Sequence, residues 1–103
     1  MMDLNKTIDL MCSDDYKERF IAEYMQTKIR YEKLKALNTK LEAAILLYSQ
    51  GKEDTEDDAY LHVVGFIPTC PYELLKQQQS IMGEYLHTLE LRAVIEGVDL
   101  NEY

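Results

Sequence analysis

The first fifty residues contain neither glycine nor proline, and Gly51 is the first residue that interrupts them. Within that stretch Phe20, Tyr24, Thr27, Tyr31, Leu34, Asn38, Leu41, Ile45 and Tyr48 follow one another at alternating steps of four and three. This is the spacing of a coiled-coil seam. Ile21, Met25, Leu37 and Ala44 widen the seam into a face. "SDDYKERF" precedes it and offers N-cap oxygens and early negative charge at Ser13, Asp14 and Asp15, with Asp15 and Glu18 at capping-box separation. The pattern predicts a helix over 14–50, on the order of 50 Å long at the α-helical rise. A rod of that length cannot bury its apolar stripe against itself.

The partner it needs lies later in the chain. "CPYELLKQQQSIMGEYLHTLELR" opens with a proline suited to a first helical turn, and Gly97 stops the pattern, so a second helix is expected over 70–97. Its face is read as Leu74, Leu75, Gln78, Ile81, Met82, Tyr85, Leu86, Leu89 and Ala93. Gly83 inside it costs roughly 1 kcal/mol relative to alanine, a cost that a close helix crossing would justify. The expected fold class is all-α: an antiparallel long-helix hairpin whose exposed stripe is completed by self-association into a helical bundle, a dimer being the simplest form.

The rest of the chain is short. Residues 1–13 place Leu4, Ile8 and Met11 at helical spacing and read as a flexible or docked arm. Residues 51–69 read as an acidic linker, "GKEDTEDD", followed by "AYLHVVGFIPT", a strand or a buried connecting segment limited by Gly65 and Pro68. Residues 98–103 form a tail. With 103 residues and 47% hydrophobic content the chain is one domain with a modest core.

Charge narrows the function classes. The net charge of -8 argues against binding duplex nucleic acid through a general basic surface. It is unevenly spread: residues 14–50 carry seven bases and six acids, residues 51–103 three bases and eleven acids. "KIRYEKLK" gathers Lys28, Arg30, Lys33 and Lys35 around Tyr31. Such a row either pairs with acids of the second helix or grips the phosphates of a small nucleotide while the tyrosine stacks on a base. The acids Glu53, Asp54, Glu56, Asp57, Asp58, Glu84 and Glu90 are the candidates for docking on a basic partner. Gln78, Tyr85, Arg92 and Asn38 interrupt apolar faces and are expected to pair across the helices, fixing register; in this reading Gln78 and Arg92 satisfy Tyr85, Asn38 or backbone groups.

No catalytic constellation is visible. His62 and His87 stand in no metal-binding spacing, and Cys12 and Cys70 match no zinc pattern or disulfide framework, so neither a metal nor a cofactor is expected and no enzymatic activity is assigned. The cysteines read as free thiols in a reducing compartment, and no stretch has the length of a membrane span or the form of a signal peptide. A soluble cytoplasmic protein follows as the expectation. The eight tyrosines suit interfaces, where they supply contact area with a polar tip.

"DDYKERFIAEYMQTKIRYEKLKALNTKLEA" together with "CPYELLKQQQSIMGEYLHTLELRAVIEGVDL" resembles a family of small uncharacterised proteins encoded by crAss-like phages, other tailed phages and prophages of Gram-positive gut bacteria. Pro71, Leu74, Leu75, Gln78, Met82, Tyr85, Leu89 and Arg92 carry the more distinctive part of the likeness. It implies a helical hairpin of phage origin and brings no site with it. By association with that origin, the leading expectation is a non-enzymatic binding protein that inhibits a host defence factor, such as a CRISPR nuclease, through its acidic surface. The alternatives are an oligomeric sponge that sequesters a cyclic nucleotide immune signal through Lys28, Arg30, Lys33 and Tyr31, or a structural accessory of phage assembly.

Overall fold

The structure is a computed structural model that describes residues 3–100. The expected arm and tail are therefore described from Asp3 and to Leu100, and residues 1, 2 and 101–103 lie outside the described residues. Four helices and no strand occur among the described residues: α1 (Leu4–Met11), α2 (Tyr16–Ser49), α3 (Glu56–Val63) and α4 (Tyr72–Glu96). The class is all-α, and α2 and α4 pack on each other as a hairpin. They contribute to two compact units, one holding the described residues up to Glu32 and from Ser80 on, the other residues 33–79.

Local chemistry sets the helix ends. Asp15 accepts the Lys17 N–H at 2.9 Å at the start of α2, which satisfies one of the amides that a helix start leaves unpaired. At its other end the Lys52 N–H reaches back to the Leu47 carbonyl and the Gly51 N–H to that of Tyr48, the paired bonds of a Schellman stop. α4 ends in the same way: Gly97 takes φ +72°, a left-handed conformation in which a side chain is strained, and the Val98 N–H bonds the Ala93 carbonyl at 2.8 Å. That bond folds Val98 onto Ala93, and both are buried.

In the first unit Phe20, Ile21, Tyr24 and Met25 of α2 meet Leu86, Leu89 and Ala93 of α4, with Val98 beside them and Leu10 of α1 packed against the cluster. α1 is a docked helix: Asp3 caps it by accepting the Lys6 N–H at 2.9 Å. Its buried Thr7 accepts the Gln26 side-chain amide at 3.0 Å.

In the second unit Leu41 and Ala44 of α2 pack with Ala59 and Tyr60 of α3, flanked by Tyr72 and Leu75. α3 forms within the expected linker and connecting segment: residues 56–63 are helix rather than strand, and Ala59 and Tyr60 are buried, as a buried connecting segment would be. Thr55 caps it by accepting the Asp58 N–H at 3.0 Å, and Glu56, Asp57 and Asp58 occupy its first turn. Acids there are stabilised by the unpaired amides and the helix dipole. A run that looks like a solvated spacer therefore serves as a helix start.

The expected face of α4 is corrected. The side that turns inward is Leu75, Gln79, Met82, Leu86, Leu89 and Ala93, again at steps of four and three. Leu74 and Ile81 remain 54% and 56% exposed, and Gln78 and Tyr85 also stand on the exposed side. On α2 the expected stripe from Phe20 to Ile45 is buried or half-buried, and only its last member, Tyr48, is exposed.

Candidate functional site

The site is built from residues one helical turn apart on α2. Tyr24, Lys28 and Tyr31 are spaced by four and three, so their side chains share one side of the helix. The Lys28 ammonium lies 5.9 Å from the centre of the Tyr24 ring, within cation–π range. Tyr24 is 5% exposed and donates its hydroxyl to Glu90 Oε2 of α4 at 2.8 Å. Burial first, and then the hydrogen bond to the Glu90 carboxylate, push its pKa up to about 12.

Tyr31 rests on α4 where Gly83 lacks a side chain. A Cβ at position 83 would stand 3.3 Å from Tyr31 Cε1, tighter than ordinary contact. The glycine thus admits the ring. Between these residues lies a hollow of about 250 Å³ lined by Tyr24, Lys28, Tyr31, Glu32, Gly83, Leu86 and Glu90. A second hollow of about 280 Å³ shares Tyr24, Lys28 and Glu90 with it and continues past Ala93 and Val98. Lys28 therefore overlooks both.

The rest of the basic row is not brought into these hollows. Arg30 is exposed and lines neither, and Lys33 and Lys35 are exposed on the part of α2 that belongs to the second unit. The reading in which the row pairs with acids of the second helix is corrected: among the described residues, ion pairs join His62 to Glu53, His87 to Glu90 and Arg92 to Glu96, and none involves Lys28, Arg30, Lys33 or Lys35.

The acidic candidates fall into two groups. Glu53, Asp54, Glu56, Asp57 and Asp58 surround the start of α3 in the second unit, whereas Glu84 and Glu90 stand on α4 in the first. Some are engaged within the chain: Glu53 Oε1 lies 2.6 Å from His62 Nδ1, and Glu56 accepts the Tyr60 hydroxyl at 2.5 Å. Burial and then that bond raise Tyr60 to about 12. Glu56, Asp57 and Glu73, with Ile45, Tyr60 and Ile67, line a hollow of about 410 Å³.

Asn38, Tyr85 and Arg92 each bond across α2 and α4, as expected, though to partners other than one another. Asn38 donates to the Leu75 carbonyl at 3.0 Å and to Gln79 Oε1 at 2.9 Å, so the neighbour of Gln78 does this work. Tyr85 donates to Glu23 Oε1 at 3.0 Å. Arg92 instead joins Tyr16 and Glu96 in a triangle of bonds of 2.7, 2.9 and 3.1 Å and lies over the Phe20 ring. In this exposed triangle the Tyr16 hydroxyl and then the guanidinium hold the Glu96 carboxyl below its usual range. Gln79 and Glu23 were missed because recognising them requires the register of α4 on α2.

Cys12 and Cys70 are free thiols. No group of three or more His, Cys, Asp or Glu side chains among the described residues is placed to hold a metal ion. No helix among them is long and apolar enough to cross a membrane.

The fold defines a small all-α helical-hairpin protein. The sequence model of the Sequestin family matches residues 14–95, which span α2, α3 and nearly all of α4, and the chain belongs to that family. No curated protein and no solved structure matches the chain.

Proposed function

We propose that this protein sequesters a small anionic ligand of the nucleotide class, holding it without transforming it. A cyclic nucleotide immune signal, in a bacterial host infected by a phage encoding the protein, is the setting we assign to it. The observation that carries the reading is Lys28: an ammonium without an ion-pair partner among the described residues, on the rim of two hollows and one turn from the half-buried Tyr31 ring. A lysine so placed offers charge-assisted hydrogen bonds to a phosphate. A base stacked on a tyrosine adds about 1–3 kcal/mol. Arg30, exposed on the same helix two residues beyond Lys28, adds positive charge to this unit. Glu90, Glu32 and Asp99 also line the hollows and oppose an anion, so Lys28 must supply its charge close to the phosphate; one Glu90 oxygen is occupied by the Tyr24 hydroxyl. The name of the family, Sequestin, is that of a sequestering protein and supports the same reading.

Calorimetry with a panel of cyclic mono- and dinucleotides tests it. Saturable binding that weakens at least about tenfold in Lys28→Glu, with helical content unchanged, is the expected result. Heat exchange no different from buffer dilution for every member of the panel contradicts it.

The inhibitor reading retains one supporting feature, the acidic wall of Glu56, Asp57 and Glu73 around the hollow at α3. A basic host protein would dock there. The division of the acids between two units and the engagement of Glu53 and Glu56 within the chain leave it a narrower surface than the sequence suggests.

A further inference from the structure

Glu32 lines the same hollow as Lys28 and Tyr31 and stands four residues beyond Lys28 on α2, so the two charged side chains leave the helix on one side. Opposite charges at that spacing often pair, but a cation placed before an acid is the less favourable order, and no ion pair among the described residues joins them. Ammonium and carboxylate are separate features of one wall. The other acid of this hollow, Glu90, is already engaged: its Oε2 accepts the Tyr24 hydroxyl at 2.8 Å and its Oε1 lies 3.9 Å from His87 Nδ1. Glu32 has no such neighbour among the described residues.

A carboxylate has two acceptor oxygens and no donor, so it selects a pair of adjacent, coplanar donors. Two biological groups present that fork: a guanidinium, and the Watson–Crick edge of guanine, where the ring N–H and the exocyclic amino group point the same way. The guanidinium is a cation, which Lys28 repels. Guanine is neutral, and its face stacks on a tyrosine ring such as that of Tyr31, seated where Gly83 lacks a side chain. Adenine and cytosine each set a bare ring nitrogen beside their amino group and so turn a lone pair on the carboxylate. Size agrees with a single base: the hollow of about 250 Å³ is smaller than the pockets of roughly 300–1,000 Å³ that enclose a whole drug-sized ligand.

We propose that Glu32 reads the base of the ligand: its carboxylate accepts the ring N–H and the amino group of a guanine stacked on Tyr31, while Lys28, one turn earlier, holds a phosphate of the same molecule. This inference rests on the nucleotide-sequestering reading and narrows it to guanine nucleotides. It also gives the acid in an anion site a use. The charge of Glu32 repels the phosphate of every nucleotide alike, whereas its two acceptor oxygens favour guanine alone, so specificity comes from an unfavourable element and a favourable one together.

Calorimetry of the full chain with cyclic GMP, cyclic IMP and cyclic AMP, and with cyclic di-GMP and cyclic di-AMP, tests it. Guanine members should bind at least about tenfold more tightly than their adenine counterparts, as a bidentate base contact gives. Cyclic IMP, which lacks only the amino group, should fall between. Glu32 is exposed, so Glu32→Gln leaves the fold intact; it should weaken guanine nucleotides about tenfold and leave adenine nucleotides unchanged or tighter. Were Glu32 only a bystander, removing its charge would tighten every nucleotide to the same degree, and that result overturns the inference. Adenine nucleotides that bind as tightly as guanine nucleotides, and still depend on Lys28, overturn it while the sequestering reading stands. Absence of binding by every member overturns both.

Discussion

Tyr24 of α2 donates its hydroxyl to Glu90 of α4 at 2.8 Å, and both residues line each of the two hollows overlooked by Lys28. Buried tyrosine and half-exposed glutamate thus serve both the packing of the hairpin and the shape of the site. The bond also leaves a pH signature. Tyr24 is raised from 10.0 to about 12 in the folded chain. A group whose folded pKa is raised contributes stability that is fully present below its unfolded value and is lost as pH climbs through its folded one. Stability should therefore hold to about pH 10 and fall between there and pH 12, with Tyr60, also raised to about 12, adding to the fall. Spectrophotometric titration of the phenolates checks this: Tyr24→Phe should remove one late-titrating tyrosine and cost about 1 kcal/mol of stability. A Tyr24→Phe titration curve superposing on that of the parent, apart from one ordinary tyrosine, contradicts the assignment.

Asn38 sits in the seam of the second unit at 3% exposure, and its Oδ1 meets no hydrogen-bond partner. A buried acceptor left unpaired costs about 1–3 kcal/mol, offset here by the two bonds its amide donates. Asn38→Leu should stabilise the chain by about 1 kcal/mol in urea unfolding, because an apolar side chain of similar size replaces a half-satisfied amide. Asn38→Asp should destabilise it by roughly 3 kcal/mol, since a carboxylate would face the Leu75 carbonyl. Equal midpoints for the two variants would run against this description of the seam.

Gly83 separates stability from ligand affinity. Alanine at that position gains roughly 1 kcal/mol of helix propensity and meets the Tyr31 ring at 3.3 Å. Gly83→Ala should be within about 1 kcal/mol of the parent in stability, yet weaken nucleotide binding several-fold by displacing Tyr31. Unaltered affinity in a folded Gly83→Ala variant would remove Tyr31 from the site.

Gly97 closes α4 in a left-handed conformation, and Val98 packs back on Ala93. Gly97→Ala should cost about 1 kcal/mol through backbone strain alone. Val98→Ala should add about 1–2 kcal/mol from lost packing. Thermal unfolding followed by circular dichroism orders the two against the parent, and neither should alter the helical content of the folded state.

The hairpin was legible because α2 declares itself: from Phe20 to Leu41 nothing breaks the helix, and the members of the stripe are buried or half-buried in the structure. α4 was legible as a helix but not in its rotation. Leu74 and Leu75, Ile81 and Met82, and Tyr85 and Leu86 are adjacent apolar or amphipathic pairs, so two overlapping faces fit the sequence equally well. Only contact with α2 selects the second member of each pair. α3 was hidden because its first turn is made of acids, a composition shared with solvated linkers until Thr55 is recognised as a cap. At the site, Lys28 and Tyr31 were visible from their spacing along one helix. Gly83 and Glu90 join them only through tertiary register, which a single chain's pattern does not encode.

The central claim is that the chain withdraws a nucleotide from solution and keeps it intact. The most direct measurement mixes the full chain with a panel of cyclic mono- and dinucleotides, removes the protein by filtration, quantifies what stays free, and then heats the protein fraction to release what was bound. The account predicts that one class of nucleotide is depleted in fixed proportion to protein, returns chemically unchanged on heating, and is no longer depleted by Lys28→Glu. Complete recovery of every nucleotide in the filtrate, or release of an altered product, would contradict it.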